Sequence, residues 1–361
     1  MLPNKICWRK LDGTRIAGLD RSLLHDGGYE GDALTVLGLG ELSEICVEEL
    51  KKKGQEIRWN EKVVALGGQE EGSTEAWVEV ETAEGKKRYE GDFVVGCDGG
   101  NSAVRKLLFG KRFDGFTWDV QVVATNVGLL LSSVYTVRVD ADVEQTYYDI
   151  SKFGWEETNF IINNDHWYMA ALISNDGLWR ISYGEQTGFT DEELLKRQPL
   201  KFEQMLPGNP KPSEYKIASI SPYKVHQRCA EKMAVGRVAL AADAAHLCNP
   251  FGGMGLTGGI VDVEGLFECL RGIHAGVADL SILEKYSEVR IEKYQTIVNP
   301  VSSSNIVRLS QLDPETALEK DPFLQTVKKA ETDFDLSKEM QTASNKLKYD
   351  FTQHYTRPID G

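Results

Sequence analysis

The feature that most constrains the fold of this chain is a strand-to-helix junction at residues 236–259, Gly-Arg-Val-Ala-Leu-Ala-Ala-Asp-Ala-Ala-His-Leu-Cys-Asn-Pro-Phe-Gly-Gly-Met-Gly-Leu-Thr-Gly-Gly. Residues 237–242 predict a buried strand, and Asp243 is the first side chain able to project from its carboxyl end. Pro250 interrupts regular structure, and a helix with a glycine-lined amino end follows. Backbone N–H groups at such an end have no intrahelical acceptor and can face an anion.

Two further patterns accompany the junction. The helix that follows it carries one apolar stripe at steps of four and three, formed by Leu256, Ile260, Val263, Phe267 and Leu270. Residues 93–105 predict a second buried strand, which continues into Asp-Gly-Gly-Asn-Ser-Ala-Val-Arg, and Asp98 is the first charged side chain after that strand. Both segments therefore place a carboxylate just beyond a strand.

Composition and charge exclude several classes of protein. The 361 residues have a net charge of −14 and no stripe of Lys or Arg, so nucleic-acid binding is not expected. A hydrophobic content of 41% supports a large core, and the length suggests two domains. No run approaches the length of a membrane span. Six cysteines without a metal-ligand spacing predict reduced thiols, no metal site and a cytoplasmic location. The oligomeric state is left open.

The two segments resemble the FAD motifs of class A flavin-dependent aromatic hydroxylases, which are built like p-hydroxybenzoate hydroxylase. Residues 241–258 are similar to Gly-Asp-Ala-Ala-His followed by Pro and Gly-x-Gly, with Ala242 in place of the usual first glycine. Residues 98–105 are similar to Asp-Gly-x-x-Ser-x-x-Arg, a motif associated with both FAD and the nicotinamide cofactor. The resemblance implies a monooxygenase that uses NAD(P)H, FAD and O₂ to hydroxylate an electron-rich aromatic ring.

The resemblance also implies roles for individual residues. Asp243 would hydrogen-bond the ribitol of FAD, and the alternative is that it only caps a helix. The N–H groups of Gly253, Gly255 and Leu256 would face the flavin N1 and C2 oxygen, where a helix amino end stabilises negative charge. Pro250 would pack near the reactive edge of the ring, and the alternative is a simple turn proline.

Other residues have weaker support. Asp98 would belong to the cofactor site through its motif, whereas His246 is expected to be mainly structural. The stretch 166–185 resembles substrate-domain strands of fungal members that act on polyketide aromatics, and within it Tyr168 and Arg180 would hold or deprotonate a phenol. As side chains of an amphipathic sheet they are equally ordinary core and rim residues.

The largest departure from the family is an absence. Family members begin with a strand, Gly-x-Gly-x-x-Gly and a helix, a unit of ~30 residues that holds the ADP half of FAD. Here residues 1–20 already resemble a later stretch, so the expectation is either a truncated chain or a relative that lost this unit. Gly38-Leu-Gly40 precedes a helix, but Ser43 stands in place of the third glycine, so a turn that caps a core helix is favoured over a phosphate site.

The predicted fold is α/β, with an incomplete Rossmann-like FAD domain at residues 1–110 and 226–310. A mostly antiparallel β-sheet domain for the substrate is inserted at residues 111–225, and residues 311–361 form a helical C-terminal tail. The inserted domain has a helix at 191–205, and its predicted strands are 120–127, 134–139, 160–162, 167–173 and 178–183. A later helix is predicted to end at Asn299-Pro300.

The leading functional prediction is an FAD- and NAD(P)H-dependent monooxygenase that hydroxylates a phenolic or polyketide-derived aromatic, in secondary-metabolite biosynthesis. One alternative is a non-redox relative or inactive fragment with weak flavin binding that serves as a binding protein. Another is a Baeyer–Villiger or epoxidising flavoenzyme. The sequence does not decide between NADH and NADPH, and it does not identify the substrate.

Overall fold

A computed structural model describes residues 5–29, 37–127, 148–174 and 177–359. Its strands are β1 (Lys5–Lys10), β2 (Arg15–Asp20), β3 (Lys62–Gly67), β4 (Ala76–Thr82), β5 (Gly85–Gly91), β6 (Val94–Gly96), β7 (Asp114–Val127), β8 (Thr158–Ile162), β9 (Tyr168–Leu172), β10 (Trp179–Glu185), β11 (Ile217–Cys229), β12 (Ala234–Val235), β13 (Val238–Leu240) and β14 (His246–Leu247). Its α-helices are α1 (Ser22–Asp26), α2 (Leu39–Lys52), α3 (Ala103–Phe109), α4 (Asp191–Met205), α5 (Met254–His274), α6 (Ser281–Lys293), α7 (Asn299–Gln311), α8 (Ala317–Lys320), α9 (Pro322–Ala330) and α10 (Phe334–Gln341).

Residue contacts divide the chain into two units. The sheet unit comprises Met1–Gly54, Asp119–Val225 and Ile306–Ala343, and the junction unit comprises Gln55–Trp118, His226–Asn305 and Ser344–Gly361. This grouping differs from the predicted domain limits at both ends of the chain. The first residues join the sheet because β1 hydrogen-bonds to β8. The predicted C-terminal tail is shared between the two units.

The sheet unit is built on a mostly antiparallel sheet in the order β11-β7-β10-β9-β8-β1-β2. The pairs β7–β10, β10–β9, β9–β8 and β1–β2 are antiparallel, and β1–β8 is parallel. The predicted antiparallel sheet is therefore confirmed, and its predicted strand at 134–139 lies outside the described residues. On one face the sheet buries a core of Val123, Ile161, Tyr168, Ile181, Tyr183, Leu194 and Phe202.

Helix α4 covers this core, and its sequence explains where it begins. Thr190 is the N-cap and accepts a hydrogen bond from the backbone N–H of Glu193, whose carboxylate accepts from the N–H of Thr190. This reciprocal capping box satisfies two donors that would otherwise lack an acceptor. The helix predicted at 191–205 is confirmed. Helix α9 packs on β2 and buries Leu324 and Val327, so the predicted helical C-terminus is also present.

The junction unit contains the two strands that were predicted to precede the loops of Asp98 and Asp243. β6 and β13 are parallel neighbours, with Val94 opposite Val238 and Gly96 opposite Leu240, and β12 extends the sheet beyond β13. The strands β3, β4 and β5 form a separate antiparallel sheet. Helices α5 and α6 bury the parallel strands within one core. No helix in the described part of the chain is long and apolar enough to cross a bilayer.

Helix α5 turns its apolar stripe outwards. Leu256, Ile260, Val263 and Phe267 are 48%, 54%, 51% and 60% exposed. The buried face is instead formed largely by small residues, among them Gly258, Gly259, Gly265 and Gly272. A Cβ on Gly265 or Gly272 would lie 2.6 or 2.4 Å from the rings of Phe351 and Tyr355, so glycine permits the close packing of that face.

The predicted end of a helix at Asn299-Pro300 is wrong. Helix α6 continues through a π-helical segment, Tyr294–Val298, directly into α7, which begins at Asn299. Pro300 has no N–H to donate, and inside a continuous helix this leaves one carbonyl of the preceding turn without its usual donor. The wider turn of the π-helical segment lets the Asn299 N–H bond to the Tyr294 carbonyl, so the chain passes the proline without ending the helix.

Candidate functional site

The two motif loops lie side by side because their strands are parallel neighbours. The Ala241 N–H donates to the Gly96 carbonyl at 3.0 Å, at the point where both strands end. Gly96 is required there, since an added Cβ would lie 2.8 Å from Val104 and 2.9 Å from Leu240. The carboxyl ends of β6 and β13 thus bring Asp98 and Asp243 to the same edge of the sheet.

Arg105 ties one loop to the other. Its buried guanidinium donates to the Ala244 carbonyl at 2.8 Å and to the Gly100 carbonyl at 2.7 Å, and it lies over the ring of Phe113. It therefore fixes the loop after β6 against the residue that follows Asp243.

The carboxylate of Asp98 accepts hydrogen bonds from the start of the helix that follows it. Its carboxylate accepts from the Ser102 hydroxyl and from the backbone N–H groups of Ala103, at 2.6 Å, and Val104, at 3.2 Å. These contacts stabilise the amino end of α3. The geometry gives Asp98 a capping function within the described chain, and its predicted contact with a cofactor stays a prediction.

Ala242 adopts a backbone conformation that favours glycine. Its φ is +55°, in the left-handed region where L residues other than glycine are strained. Alanine stands here in place of the family's glycine, and it adopts this left-handed conformation. Its N–H donates to Asp262 at 2.9 Å, and its methyl group lies where a Cβ on Gly259 would approach to 2.8 Å.

Replacing Ala242 with glycine is expected to raise the free energy of unfolding by about 0.5–1 kcal/mol. Relief of the left-handed strain, about 1–2 kcal/mol, exceeds the entropic cost of a glycine, about 0.5–1 kcal/mol. Urea denaturation measures the change. Ala245→Gly is the control because Ala245 ends the same turn but has a φ of −92°, so it should lose stability. An equal loss in both variants would refute strain at Ala242.

Asp243 carries a carboxylate without a bonding partner. It forms no hydrogen bond or ion pair with any residue in the described ranges, and the short 3₁₀ turn Ala242–Ala244 has no side-chain cap. Asp243 accepts no backbone N–H of this turn, so the structure does not support the alternative that it only caps a helix. Partial burial raises the pKa of Asp243 and the nearby His246 opposes that rise, but the residue is exposed to solvent. Such a carboxylate is available to a ligand that donates hydrogen bonds.

The Pro250 loop, residues 249–253, leads from the junction into α5. Pro250 starts a 3₁₀ turn, and Gly253 is the N-cap of α5 with a φ of +63°. The Gly253 N–H donates to the Pro250 carbonyl at 3.1 Å, which corrects its predicted role as a donor to a ligand. Gly255 and Leu256 lie in the first turn of α5, where N–H groups have no intrahelical acceptor. A Cβ on Gly253 or Gly255 would meet no atom of the described residues within 4 Å, so these residues leave room beside both glycines.

Asp262 is a buried residue of this site that sequence analysis missed. One oxygen lies 2.8 Å from Nε2 of His246 and accepts the Ala242 N–H, and the other accepts from Nε of Arg290 at 2.6 Å. Arg290 also donates to the Leu347 carbonyl at 2.7 Å. Burial acts to raise the pKa of Asp262, but His246 and Arg290 outweigh it and hold that pKa below its usual value. His246 is structural, as expected.

Two tyrosine hydroxyls donate hydrogen bonds to backbone carbonyls of the junction. The hydroxyl of Tyr286 donates to the Leu240 carbonyl at 3.0 Å, at the end of β13, and that of Tyr294 donates to the Leu247 carbonyl at 2.9 Å. Together with Asp262 these bonds hold the backbone on both sides of Asp243.

In the sheet unit, Tyr168 and Arg180 lie on opposite faces of the sheet. Tyr168 is opposite Tyr183 in the β9–β10 register, and Arg180 is an odd number of residues from Tyr183. Tyr168 is buried in the core, its hydroxyl donates to the Met205 carbonyl at 2.7 Å, and burial raises its pKa well above the usual value. The two residues therefore cannot hold one phenol together, which corrects the joint role predicted for them.

Arg180 retains donors for a ligand. It is half-buried, and its Nε donates to Oδ1 of Asn126 at 3.0 Å, which orients the guanidinium. It forms an ion pair with no carboxylate within the described ranges. The face that carries it is covered less completely by described residues than the core face, since Ala124, Asn126 and Met169 are also only half-buried.

The described residues fit the flavin half of FAD. A free carboxylate at Asp243, the open space before α5 and the free N–H groups of its first turn match a ligand with hydroxyl donors and a polar ring edge. In the sheet unit, a Cβ on Gly38 or Gly40 at the amino end of α2 would meet no described atom within 4 Å. No residue of α2 is buried, so the favoured prediction of a core helix there is wrong.

Comparisons with known proteins agree with this geometry. The profile of the FAD binding domain family matches residues 10–300. Para-nitrophenol 4-monooxygenase from Pseudomonas sp. (strain WBC-3) is 34% identical over 330 residues, which cover 90% of this chain and 74% of that protein. The 6-hydroxy-3-succinoylpyridine 3-monooxygenase HspB from Pseudomonas putida (strain DSM 28022 / S16) is 30% identical over 327 residues, or 87% of this chain and 74% of that protein.

A solved structure extends the similarity to the fold. The crystal structure of p-nitrophenol 4-monooxygenase PnpA from Pseudomonas putida DLL-E4 superposes with a TM-score of 0.82 at 31% identity. The match covers 96% of this chain and 81% of that one.

Proposed function

The chain belongs to the FAD binding domain family, and from this premise we propose that it hydroxylates a phenolic ring with NAD(P)H and O₂. Its relatives are FAD-dependent aromatic monooxygenases, and the chain is an enzyme of that type. FAD is the cofactor, and a nicotinamide nucleotide is the usual reductant of such enzymes. When bound, FAD supplies the redox and oxygen chemistry, and the protein supplies binding, orientation and electrostatics.

The observation that carries the proposal is the free carboxylate of Asp243 beside the open amino end of α5. Asp243 would accept hydrogen bonds from the ribitol hydroxyls. The N–H groups of Gly255 and Leu256 would donate to the polar edge of the flavin ring, and the helix amino end would stabilise negative charge there. Pro250 would limit the space at the other edge of the ring. In this assignment Gly253 provides the backbone turn and no donor.

Arg180 would recognise the substrate through charge. A guanidinium held by Asn126, with donors left over, is suited to an anionic oxygen such as a phenolate. A nearby positive charge favours the ionised form of a phenol and lowers its pKa. The phenolate is the more electron-rich form, so Arg180 would both orient the ring and prepare it for hydroxylation.

The relatives favour a small substrate. Both are named for monooxygenation of single-ring compounds, a nitrophenol and a hydroxypyridine. We therefore propose a monocyclic, acidic hydroxyaromatic compound as the first candidate substrate. A polyketide-derived ring and a role in secondary metabolism remain predictions from sequence, as does the cytoplasmic location.

After incubation with FAD and removal of unbound FAD by gel filtration, the purified full chain is expected to retain flavin absorption near 450 nm. With FAD present it should oxidise NADH or NADPH faster when 4-nitrophenol or a hydroxypyridine is added. Hydroxylated product is measured by mass spectrometry. Binding without product would favour the non-redox alternative, and ring-expanded product would favour the Baeyer–Villiger alternative.

In the same assay Arg180→Met is expected to lower kcat/KM by roughly tenfold to a hundredfold, because a charge-assisted hydrogen bond is lost. Tyr168→Phe is the comparison: it should lower stability and leave kcat/KM nearly unchanged. A large kcat/KM loss in Tyr168→Phe, with none in Arg180→Met, would reverse the assignment.

A further inference from the structure

The side chain of Gln227 is the centre of a buried network behind the Pro250 loop. Gln227 lies on β11 and is 2% exposed. Its Oε1 accepts from the backbone N–H of Asn249 at 3.1 Å and from the Asn249 amide at 3.3 Å. Its Nε2 donates to the Ser302 hydroxyl at 2.7 Å and to the Asn299 carbonyl at 3.4 Å. One carboxamide thus joins β11, the loop and α7.

The partners fix the orientation of this carboxamide. A backbone N–H can only donate and a backbone carbonyl can only accept, so Oε1 must face Asn249 and Nε2 must face Asn299. The Ser302 hydroxyl donates to the Val298 carbonyl at 2.6 Å and is left to accept from Gln227. The position therefore needs an acceptor and a donor on one side chain. A carboxylate supplies only the acceptor, and an aliphatic side chain supplies neither.

Both neighbours of Pro250 depend on the network. Asn249 is fully buried, and its Oδ1 accepts from the Phe251 N–H at 3.1 Å. The Phe251 carbonyl accepts from the Asn305 amide at 3.1 Å. The next residue, Gly252, packs so closely on α7 that a Cβ would lie 2.9 Å from the Cβ of Ser302. Pro250 is thus held from both sides by groups that α7 and Gln227 position.

We propose that Gln227 is a positioning residue for the cofactor: by holding Asn249 against α7 it sets the place of Pro250 and of the amino end of α5 relative to the flavin. The inference rests on the proposed function. Gln227 lies outside both motifs and acts through Asn249, without touching the flavin itself. Through the Asn299 carbonyl and the Ser302 hydroxyl, Gln227 also joins the loop to the start of α7, which directly follows the π-helical segment.

Gln227→Glu tests this in the full chain. At pH 8 the carboxylate cannot donate, and it faces the Asn299 carbonyl, so the loop should be displaced and FAD affinity should fall roughly tenfold or more. Burial raises the pKa of a carboxyl group, so lowering the pH towards 5.5 should protonate it and restore the donor. The ratio of variant to wild-type Kd should then return towards one, as measured by flavin fluorescence at each pH.

The matched control is Gln198→Glu. Gln198 is also buried, and its amide donates to the hydroxyl of Tyr215 in the sheet unit, away from the loop in sequence and contacts. It should leave FAD affinity unchanged at both pH values. A second variant, Gln227→Leu, removes donor and acceptor together and should weaken FAD binding at every pH without recovery.

Hydrogen exchange of the flavin-free chain separates this inference from the proposed function. Amides of residues 249–253 should exchange at least several-fold faster in Gln227→Glu at pH 8 and stay unchanged in Gln198→Glu. Unchanged loop exchange, or faster exchange with unaltered FAD affinity, would overturn the positioning role. If wild type bound no FAD while loop exchange still responded, the proposed function would fail and the control of the loop by Gln227 would stand.

Discussion

Asp262→Ala is expected to lower the free energy of unfolding by about 3–5 kcal/mol, because it leaves the buried guanidinium of Arg290 without a counter-charge. The Ala242 N–H and Nε2 of His246 lose their acceptor at the same time. Urea denaturation followed by circular dichroism measures the change, with a constant m value as the check on a simple transition. Glu192→Ala is the control, since its exposed pair with Lys196 should contribute less than about 1 kcal/mol.

The pH dependence of Asp262 has a defined sign. Its pKa is lower in the folded chain than in the unfolded chain, so its contribution is fully present above an unfolded aspartate pKa of about 4. That contribution is lost as the pH falls through the folded value. The stabilities of wild type and Asp262→Asn should therefore converge in acid. The double variant Asp262→Leu, Arg290→Met should be more stable than Asp262→Ala, and an equal loss in both would show that the unpaired charge is not the cause.

Asp243→Ala is expected to weaken FAD binding by about one to two powers of ten while the fold persists. The reason is the loss of a charge-assisted hydrogen bond of roughly 1.5–3 kcal/mol to the ribitol. Fluorescence quenching of FAD gives the affinity, and a urea melt of the flavin-free chain gives the stability. Because surrounding protein raises the pKa of Asp243, its ionised form slightly disfavours the folded state, and removing it should not lower the melt midpoint.

Asp279→Ala is the matched control for Asp243. Asp279 accepts the N–H of Ser281 at 2.9 Å at the start of α6, so its loss should lower the melt midpoint slightly and leave FAD affinity unchanged. If Asp243→Ala instead behaved like Asp279→Ala, Asp243 would be a structural residue and the cofactor assignment would be wrong.

The parts of the fold that were predictable depend on local sequence. The strand at the junction, the glycine-capped start of α5 and the limits of α4 all follow from residues within a few positions of each other. The two parallel strands were each predicted, but their pairing is known only from the structure. Asp98 and Asp243 were assigned to one cofactor site through the family resemblance, because the hydrophobic periodicity of the sequence does not relate the two segments.

The rest required contacts between distant segments. Asp262 gave a faint signal, an aspartate between Val261 and Val263 of α5, but its partner Arg290 belongs to another helix. Gln227 gave none, because its partners come from the loop and α7. The alternation within each strand was visible, yet the register of β9 against β10 was not, so Tyr168 and Arg180 were assigned to one site. On α5 the glycines, and not the large apolar residues, decide which face is buried, since only they permit contact as close as that with Phe351.

The contact between Ala242 and Gly259 links the variation of two positions. While residue 242 has a methyl group, a side chain at 259 would meet it at 2.8 Å, so 259 is restricted to glycine. With glycine at 242, the nearest remaining atom is the Cα of Ala242 at 3.4 Å, which is ordinary contact, and alanine at 259 becomes acceptable. Among diverging sequences the two positions should change in a fixed order, glycine appearing at 242 before any side chain appears at 259.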